Sequence, residues 1–382
     1  MADYQRELNQ IVAELNRASS RETTAKSTTT AAALSELLEL AVQQDASDIL
    51  LVSGAPAALR RRGKMSVVPG TVLTDADVQR LVLPLLTPGE YGTLQKEKSV
   101  DLAFDSGSTG RFRANVHYQR GTLACCIRLL PRTIPTLEDL HLPETLDRLA
   151  NLRQGLVLVT GPTGCGKTST LAALVDRIND RRECHIVTIE EPVEYVHTNR
   201  SAIIEQIEVG RDTPAFLNSL RSILRQSPDV ILIGEMRDPE TIATALTAAE
   251  TGHLVLSTLH TNDTAQAVSR ILDVFPTSHQ SQIRLQLSLA LSAVIAQQLV
   301  PSVDGKSRYP ALEIMMATDA VRNLIRQGQD QQLRSQLTIG RAAGMNTMEQ
   351  SLAELTRSGK ISREVALSHG YRADDLRGLL AV

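Results

Sequence analysis

The chain has 382 residues, 42% of them hydrophobic, which suffices for two or three domains with ordinary cores. Aromatic residues make up only 3% and Trp is absent, which argues against stacking platforms for single-stranded nucleic acid. A formal net charge of -3 offers no basic field to DNA or RNA, so no nucleic-acid partner is expected.

The start, Met1-Ala2-Asp3-Tyr4-Gln5, lacks the apolar core of a signal peptide, and no apolar run is long enough to span a bilayer. Cys125, Cys126, Cys165 and Cys184 form no C-x-x-C pair, so neither a zinc site nor a disulfide framework is indicated. A reducing, cytoplasmic setting is expected.

Residues 1–30 read as a flexible N-terminal tail, in which Leu8, Ile11, Val12 and Leu15 keep the period of a short helix. Residues 31–130 read as an α+β domain. Leu34, Leu37, Leu38, Ala41 and Val42 line one face of a helix, and 48–52 reads as a strand. The run 60–64, Arg-Arg-Arg-Gly-Lys, suits a hairpin turn, Thr74 caps a helix ending before Pro84, and Pro88 opens another. Three β-like segments follow, at 99–104, 111–118 and 122–130. Arg111 and Arg113 share one face of the middle strand while Phe112 points into the core. Two guanidiniums on one face suit phosphate oxygens and could act as arginine fingers on an adjacent subunit; ordinary surface arginines are the other reading. Pro131, Pro135 and Pro143 then punctuate a stretch read as an interdomain linker, 131–143.

In 144–382, strands alternate with helices, the mark of a parallel sheet. The apolar run 155–160 leads into Gly161-Pro162-Thr163-Gly164-Cys165-Gly166-Lys167-Thr168-Ser169, followed by the helical period Leu171, Leu174, Val175 and Ile178. Strand, G-x-x-x-x-G-K-[ST] and helix together read as a phosphate-binding loop for ATP. Lys167 would reach the β- and γ-phosphates, and Thr168 would offer its hydroxyl to Mg²⁺. Glu190, directly after the next strand, and Glu194 are candidates to tune the metal's water shell. Val230-Ile231-Leu232-Ile233 ends in Gly234 where an aspartate is usual, which leaves Glu235 to orient water and to meet Mg²⁺ through it. Asp229 lies at the wrong end of that strand. His260, at the carboxyl end of strand 253–258, could sense the γ-phosphate, whereas His253 at the other end has packing or hydrogen bonding as an alternative role. Residues 283–299 fit both a strand and a helix, and the length favours a helix. Segment 309–316 reads as a strand, and short helices follow at 319–326, 330–338, 347–357 and 362–368.

Taken together, GPTGCGKT, TIEEPVEY, ILIGEMRDPETI, TGHLVLSTLHTNDT and AVRNLIRQ (320–327) resemble the secretion ATPase superfamily, in its type IV pilus retraction (twitching motility) branch. The resemblance covers about residues 31–372. It implies a RecA-type P-loop motor domain preceded by a smaller PAS-like domain, hydrolysis of ATP with Mg²⁺, and a homohexamer at the pilus base, peripheral to the inner membrane. The implied partners are the inner-membrane platform protein and a paralogous retraction ATPase. It also implies that Glu235 is the catalytic glutamate, that Glu190/Glu194 and His253/His260 form acidic and histidine boxes, and that Arg111 and Arg113 act across the subunit interface. The retraction motif usually ends in Glu, where Gln327 stands here, so an accessory retraction paralogue is the alternative; a pilus assembly or type II secretion ATPase, and a DNA translocase on the same fold, are more distant ones. Segment 320–327 supplies no phosphate ligand and is expected to couple hydrolysis to work.

Overall fold

The computed structural model describes residues 33–61 and 63–381; the helix expected on Leu8, Ile11, Val12 and Leu15 lies outside the described residues. Two compact units divide between Leu129 and Leu130.

In the first unit, α1 (Leu34–Gln43) precedes β1 (Asp48–Val52), the hairpin β2 (Ala58–Arg61) and β3 (Lys64–Val67), α2 (Asp75–Val82) and α3 (Pro88–Glu97). Thr74 and Thr87 cap α2 and α3 with capping boxes to Asp77 and Glu90. The meander β4 (Ser99–Ser106), β5 (Gly110–Gln119) and β6 (Thr122–Leu129) completes a six-stranded sheet ordered β3-β2-β1-β6-β5-β4, with every pair antiparallel. One face of the sheet carries Ile49, Leu51, Phe112, Val116 and Ile127, buried with Leu37, Leu38, Val78 and Leu94 of the helices. Period-two alternation in β5 therefore turns Phe112 inward and leaves Arg111 and Arg113 on the other face.

The second unit begins where proline punctuation led us to expect a free connection. Leu137 and Leu142 are instead buried with Leu146 and Leu149 of α4 (Glu144–Leu149), a helix the periodicity did not reveal. The core of this unit follows as β7 (Gly155–Thr160), α5 (Lys167–Arg181), β8 (His185–Glu190), β9 (Ile203–Glu208), α6 (Phe216–Ile223), β10 (Val230–Ile233), α7 (Pro239–Glu250), β11 (Leu254–Leu259), α8 (Thr264–Asp273), α9 (Thr277–Ala290), β12 (Leu291–Pro301) and β13 (Arg308–Met316). The seven-stranded sheet is ordered β13-β12-β7-β11-β10-β8-β9, parallel except for β13. Its faces are covered separately. Val157, Val159, Leu232 and Leu256 pack on Leu171, Leu174 and Ile178 of α5. Leu158, Ile189, Ile233 and Val255 pack on α6 to α9 through Leu220, Leu246, Ile271 and Leu287.

The helix expected over 283–299 stops at Ala290, and residues 291–301 form β12, wedged between β7 and β13. Six of its residues are fully buried on both faces, so no alternation betrays the strand. β9 was not anticipated either; it is an edge strand with mixed polarity, reading Ile-Ile-Glu-Gln-Ile-Glu. The C-terminal helices are α10 (Asp319–Gln327), α11 (Leu333–Ile339), α12 (Met348–Arg357), α13 (Arg363–His369) and α14 (Ala373–Ala381). The last three build a small core with Val300 of β12 and Ala311 of β13.

Candidate functional site

Parallel register brings the carboxyl ends of β7, β11, β10 and β8 to one edge: Thr160 lies beside Leu259, Ser257 beside Ile233 and Ile233 beside Ile189. Ligands of open α/β sheets bind outside that edge. The phosphate loop leaves β7 there. Gly161, Gly164 and Gly166 have φ of 144°, 79° and 91°, backbone that side chains rarely adopt. Pro162, Thr163 and Gly164 form the exposed lip, while Cys165 is buried. Lys167 opens α5 with its ammonium folded back on the loop, donating to the carbonyls of Gly161 at 2.8 Å and Pro162 at 3.2 Å. Burial holds it below the usual lysine range, partly offset by the charge on Glu235.

His260, just past β11, joins Lys167 to Glu235. Lys167 Nζ lies 3.4 Å from His260 Nδ1, and His260 Nε2 lies 3.3 Å from Glu235 Oε2. An ammonium only donates, so Nδ1 accepts and Nε2–H faces the carboxylate. Arg237 holds the same Glu235 oxygen at 2.7 Å and reaches Glu191 at 2.9 Å. Burial pushes the Glu235 carboxyl up, but the hydrogen bond and charge of Arg237, with the hydrogen bond from His260, outweigh it, leaving the group below its ordinary range and ionised. A cleft of about 140 Å³ opens beside this cluster, lined by Glu235, Arg237, Leu259, His260 and Arg270. Gly234 stands where an aspartate is usual. A Cβ there would lie 3.3 Å from the Ile189 carbonyl and 3.5 Å from Glu190 Cα, so close strand approach favours glycine.

Glu190 sits level with Gly234 at the end of β8. Burial pushes its carboxyl up to about 7, opposed by hydrogen bonds from Thr188 Oγ1 at 2.7 Å, Gln206 Nε2 at 3.3 Å and the Glu194 N–H. Glu194 thus meets Glu190 in two ways, its charge adding to the rise and its backbone N–H opposing it. Ser169, expected at the nucleotide, shares a hydrogen bond with buried Tyr195 at 2.8 Å, tying the acidic segment to the first turn of α5. Thr168 is half-buried on that same turn.

The structure separates the two histidines that the sequence resemblance grouped. His253 precedes β11 at the opposite edge, roughly 23 Å along the strand from His260 at about 3.3 Å per residue. Its Nδ1 meets the Ala248 carbonyl at 2.9 Å, a helix-end contact. Asp229 likewise stays at that far edge, accepting from the His185 N–H at 2.8 Å. In the first unit, Arg111 pairs with Asp105 at 2.8 Å and Arg113 with Asp101 at 3.7 Å, both on the neighbouring strand.

Sequence reading missed Gln297. Its buried carboxamide donates to the Cys165 carbonyl at 2.7 Å and accepts from Thr170 Oγ1 at 2.8 Å. A Cβ at Gly161 would meet the Gln297 carbonyl at 2.2 Å, and one at Gly166 would meet Gln297 Nε2 at 2.9 Å. Two glycines of the motif therefore answer to the close approach of β12. Only the misread strand assignment of β12 hid this partner.

The chain matches the profile of Type II/IV secretion system proteins over residues 127–374. It is 39% identical over 342 residues to the type IV pilus ATPase PilU of Pseudomonas aeruginosa, covering 90% of each chain. It is 41% identical over 333 residues to the Type IV pilus retractation ATPase PilT of the same organism, covering 87% of this chain and 96% of that one. A crystal structure of the pilus retraction motor PilT with bound ADP superposes with a TM-score of 0.85 at 41% identity, over 91% of this chain and 99% of that one. The mixed α/β architecture with its parallel sheet is that of these relatives, and the chain belongs to the family of Type II/IV secretion system proteins.

Proposed function

We propose that the chain is an ATP-hydrolysing motor, working as a homohexameric ring, that powers type IV pilus retraction and twitching motility. The observation that carries this reading is the linked trio Lys167, His260 and Glu235 at the phosphate-loop edge, in a chain similar over most of its length to a pilus retraction ATPase. Lys167 exchanges the Gly161 and Pro162 carbonyls for the β- and γ-phosphate oxygens of ATP. Glu235, kept ionised, orients the attacking water and takes its proton. His260, between the two, registers whether the ammonium and the carboxylate are engaged.

The oxygen donors present fit Mg²⁺: the Thr168 hydroxyl stands beside Lys167, and the Glu235 carboxylate is in its charged form. When bound, that cation would neutralise charge on the phosphates. Arg111 and Arg113 serve the neighbouring subunit's nucleotide. The first unit acts as the PAS-like domain and the second as the RecA-type motor. Among the described residues no helix is long and apolar enough to cross a membrane. The ring works on the cytoplasmic face of the inner membrane, against the platform protein at the pilus base.

An accessory retraction ATPase is the second reading, favoured by Gln327. Deletion of the gene, followed by imaging of labelled pili, tests both. Loss of retraction assigns the principal motor, loss of force with unloaded retraction retained assigns the accessory one, and unchanged retraction and force contradict both.

A further inference from the structure

The loop after β11 is fixed at three points, and one of them comes from the C-terminal helices. Thr160 Oγ1 accepts from the Thr261 N–H at 2.8 Å, which ties His260's neighbour to the root of the phosphate loop. Buried Glu313 of β13 accepts from the N–H and hydroxyl of Thr264 at 2.9 and 2.8 Å. Between these, Tyr371 Oη, from the turn joining α13 to α14, donates to the Asn262 carbonyl. The same hydroxyl accepts from Gln298 Nε2 at 2.7 Å, and Gln298 follows directly on Gln297, which holds the phosphate loop.

Tyr371 is itself firmly placed. Its ring packs against the small core of α12 to α14. The N–H of its neighbour Arg372 donates to Glu349 at 3.0 Å, and Glu349 is 1% exposed and also held by Arg334 at 2.7 Å. Burial pushes the Tyr371 phenol up to about 12, so it remains a neutral donor at any working pH.

We propose that Tyr371 is a positioning residue for hydrolysis: it tethers loop 260–264, and with it His260, to the C-terminal helices, while Gln298 links the same hydroxyl to the strand that braces the phosphate loop. It touches no phosphate. The C-terminal helices thereby contribute to the geometry of the His260–Glu235 pair, and movement of that pair reaches them through this hydroxyl. This rests on the reading of His260 given above.

The test uses the purified full-length chain as wild type, Tyr371→Phe, His260→Ala and the double variant. Phosphate release gives kcat and KM, a fluorescent ADP analogue gives affinity, and thermal melting reports folding. Tyr371→Phe should lower kcat about five-fold, the size of one lost hydrogen bond, with ADP affinity within about two-fold and melting nearly unchanged. In the His260→Ala background, Tyr371→Phe should change kcat by less than about 1.5-fold, because it acts through that histidine. The inference is overturned if Tyr371→Phe keeps wild-type kcat beside an impaired His260→Ala, if the two losses multiply, or if the loss lies only in ADP affinity or melting. A wild-type kcat in His260→Ala would remove the reading of the site itself.

Discussion

In the proposed mechanism Lys167 and Glu235 divide the site between them, one holding phosphate and the other governing water. Lys167→Ala should abolish ATP binding. Glu235→Ala should bind ATP within about three-fold of wild type and lose hydrolysis by about 10²-fold or more, as expected for loss of a group acting in the transition state. Nucleotide titration and phosphate release separate the two, and an equal loss of affinity in both variants would remove Glu235's hydrolysis-only role. Glu190 makes a different prediction. Its native carboxyl titrates at about 7, above the ordinary 4.5. Between those values the folded protein keeps a proton that the unfolded chain has released, so this group costs stability progressively as pH rises. Glu190→Gln has no such term. Relative to wild type it should gain up to about 3 kcal/mol between pH 4.5 and pH 8. Denaturant melts at both pH values check this; a difference independent of pH would mean the carboxyl is not raised. Lys167, Glu190, Glu235 and His260 were all legible, because each lies in or beside a contiguous motif at the end of a strand. Arg237 was not singled out, although its side chain grips Glu235; a polar residue two positions on carries no periodic signal.

At the scale of elements, legibility followed burial pattern. β5 was plain, since one face is core and the other is not. β12 was not, since Val294, Ile295 and Ala296 are all fully buried and fit either period. With the strand misread, Gln297, more than 130 residues beyond Cys165, could not be connected to the phosphate loop. α10 shows a related lesson. Its motif, 320–327, is expected to couple hydrolysis to work, and Leu324 with Ile325 is its adjacent apolar pair. Both are buried in the core of the second unit, at 9% and 0% exposure, so alanine there should cost about 2–5 kcal/mol each and disturb the fold. Asn323, Arg326 and Gln327 are exposed on the same helix and are the better probes. Arg326→Ala should leave phosphate release within about two-fold, since surface changes of this kind rarely exceed ±0.5 kcal/mol, yet stop or slow retraction in cells. A collapse of ATPase activity in parallel would place α10 in catalysis instead.

For the whole molecule, the arginines carry the argument for a ring. Arg111 and Arg113 lie in the first unit, paired with Asp105 and Asp101, while the phosphate loop lies in the second. If they act across subunits, Arg113→Ala and Glu235→Ala chains, each nearly inactive, should regain measurable ATPase when mixed into one ring. Fingers supplied in trans contribute about 10³–10⁵ in rate in GTPases, so even a minority of complete interfaces is detectable. Mixed rings, verified by mass, that stay silent at every ratio while wild-type doping rescues Glu235→Ala rings linearly would place the arginines within their own chain. The central claim is that hydrolysis at this Glu235 site drives pilus retraction. Its most direct measurement is the retraction speed and force of single pili, held in an optical trap, in cells whose only copy of this gene encodes wild type or Glu235→Ala at matched abundance. The account predicts normal retraction with wild type and loss of retraction force with Glu235→Ala; equal force from the two strains would contradict it.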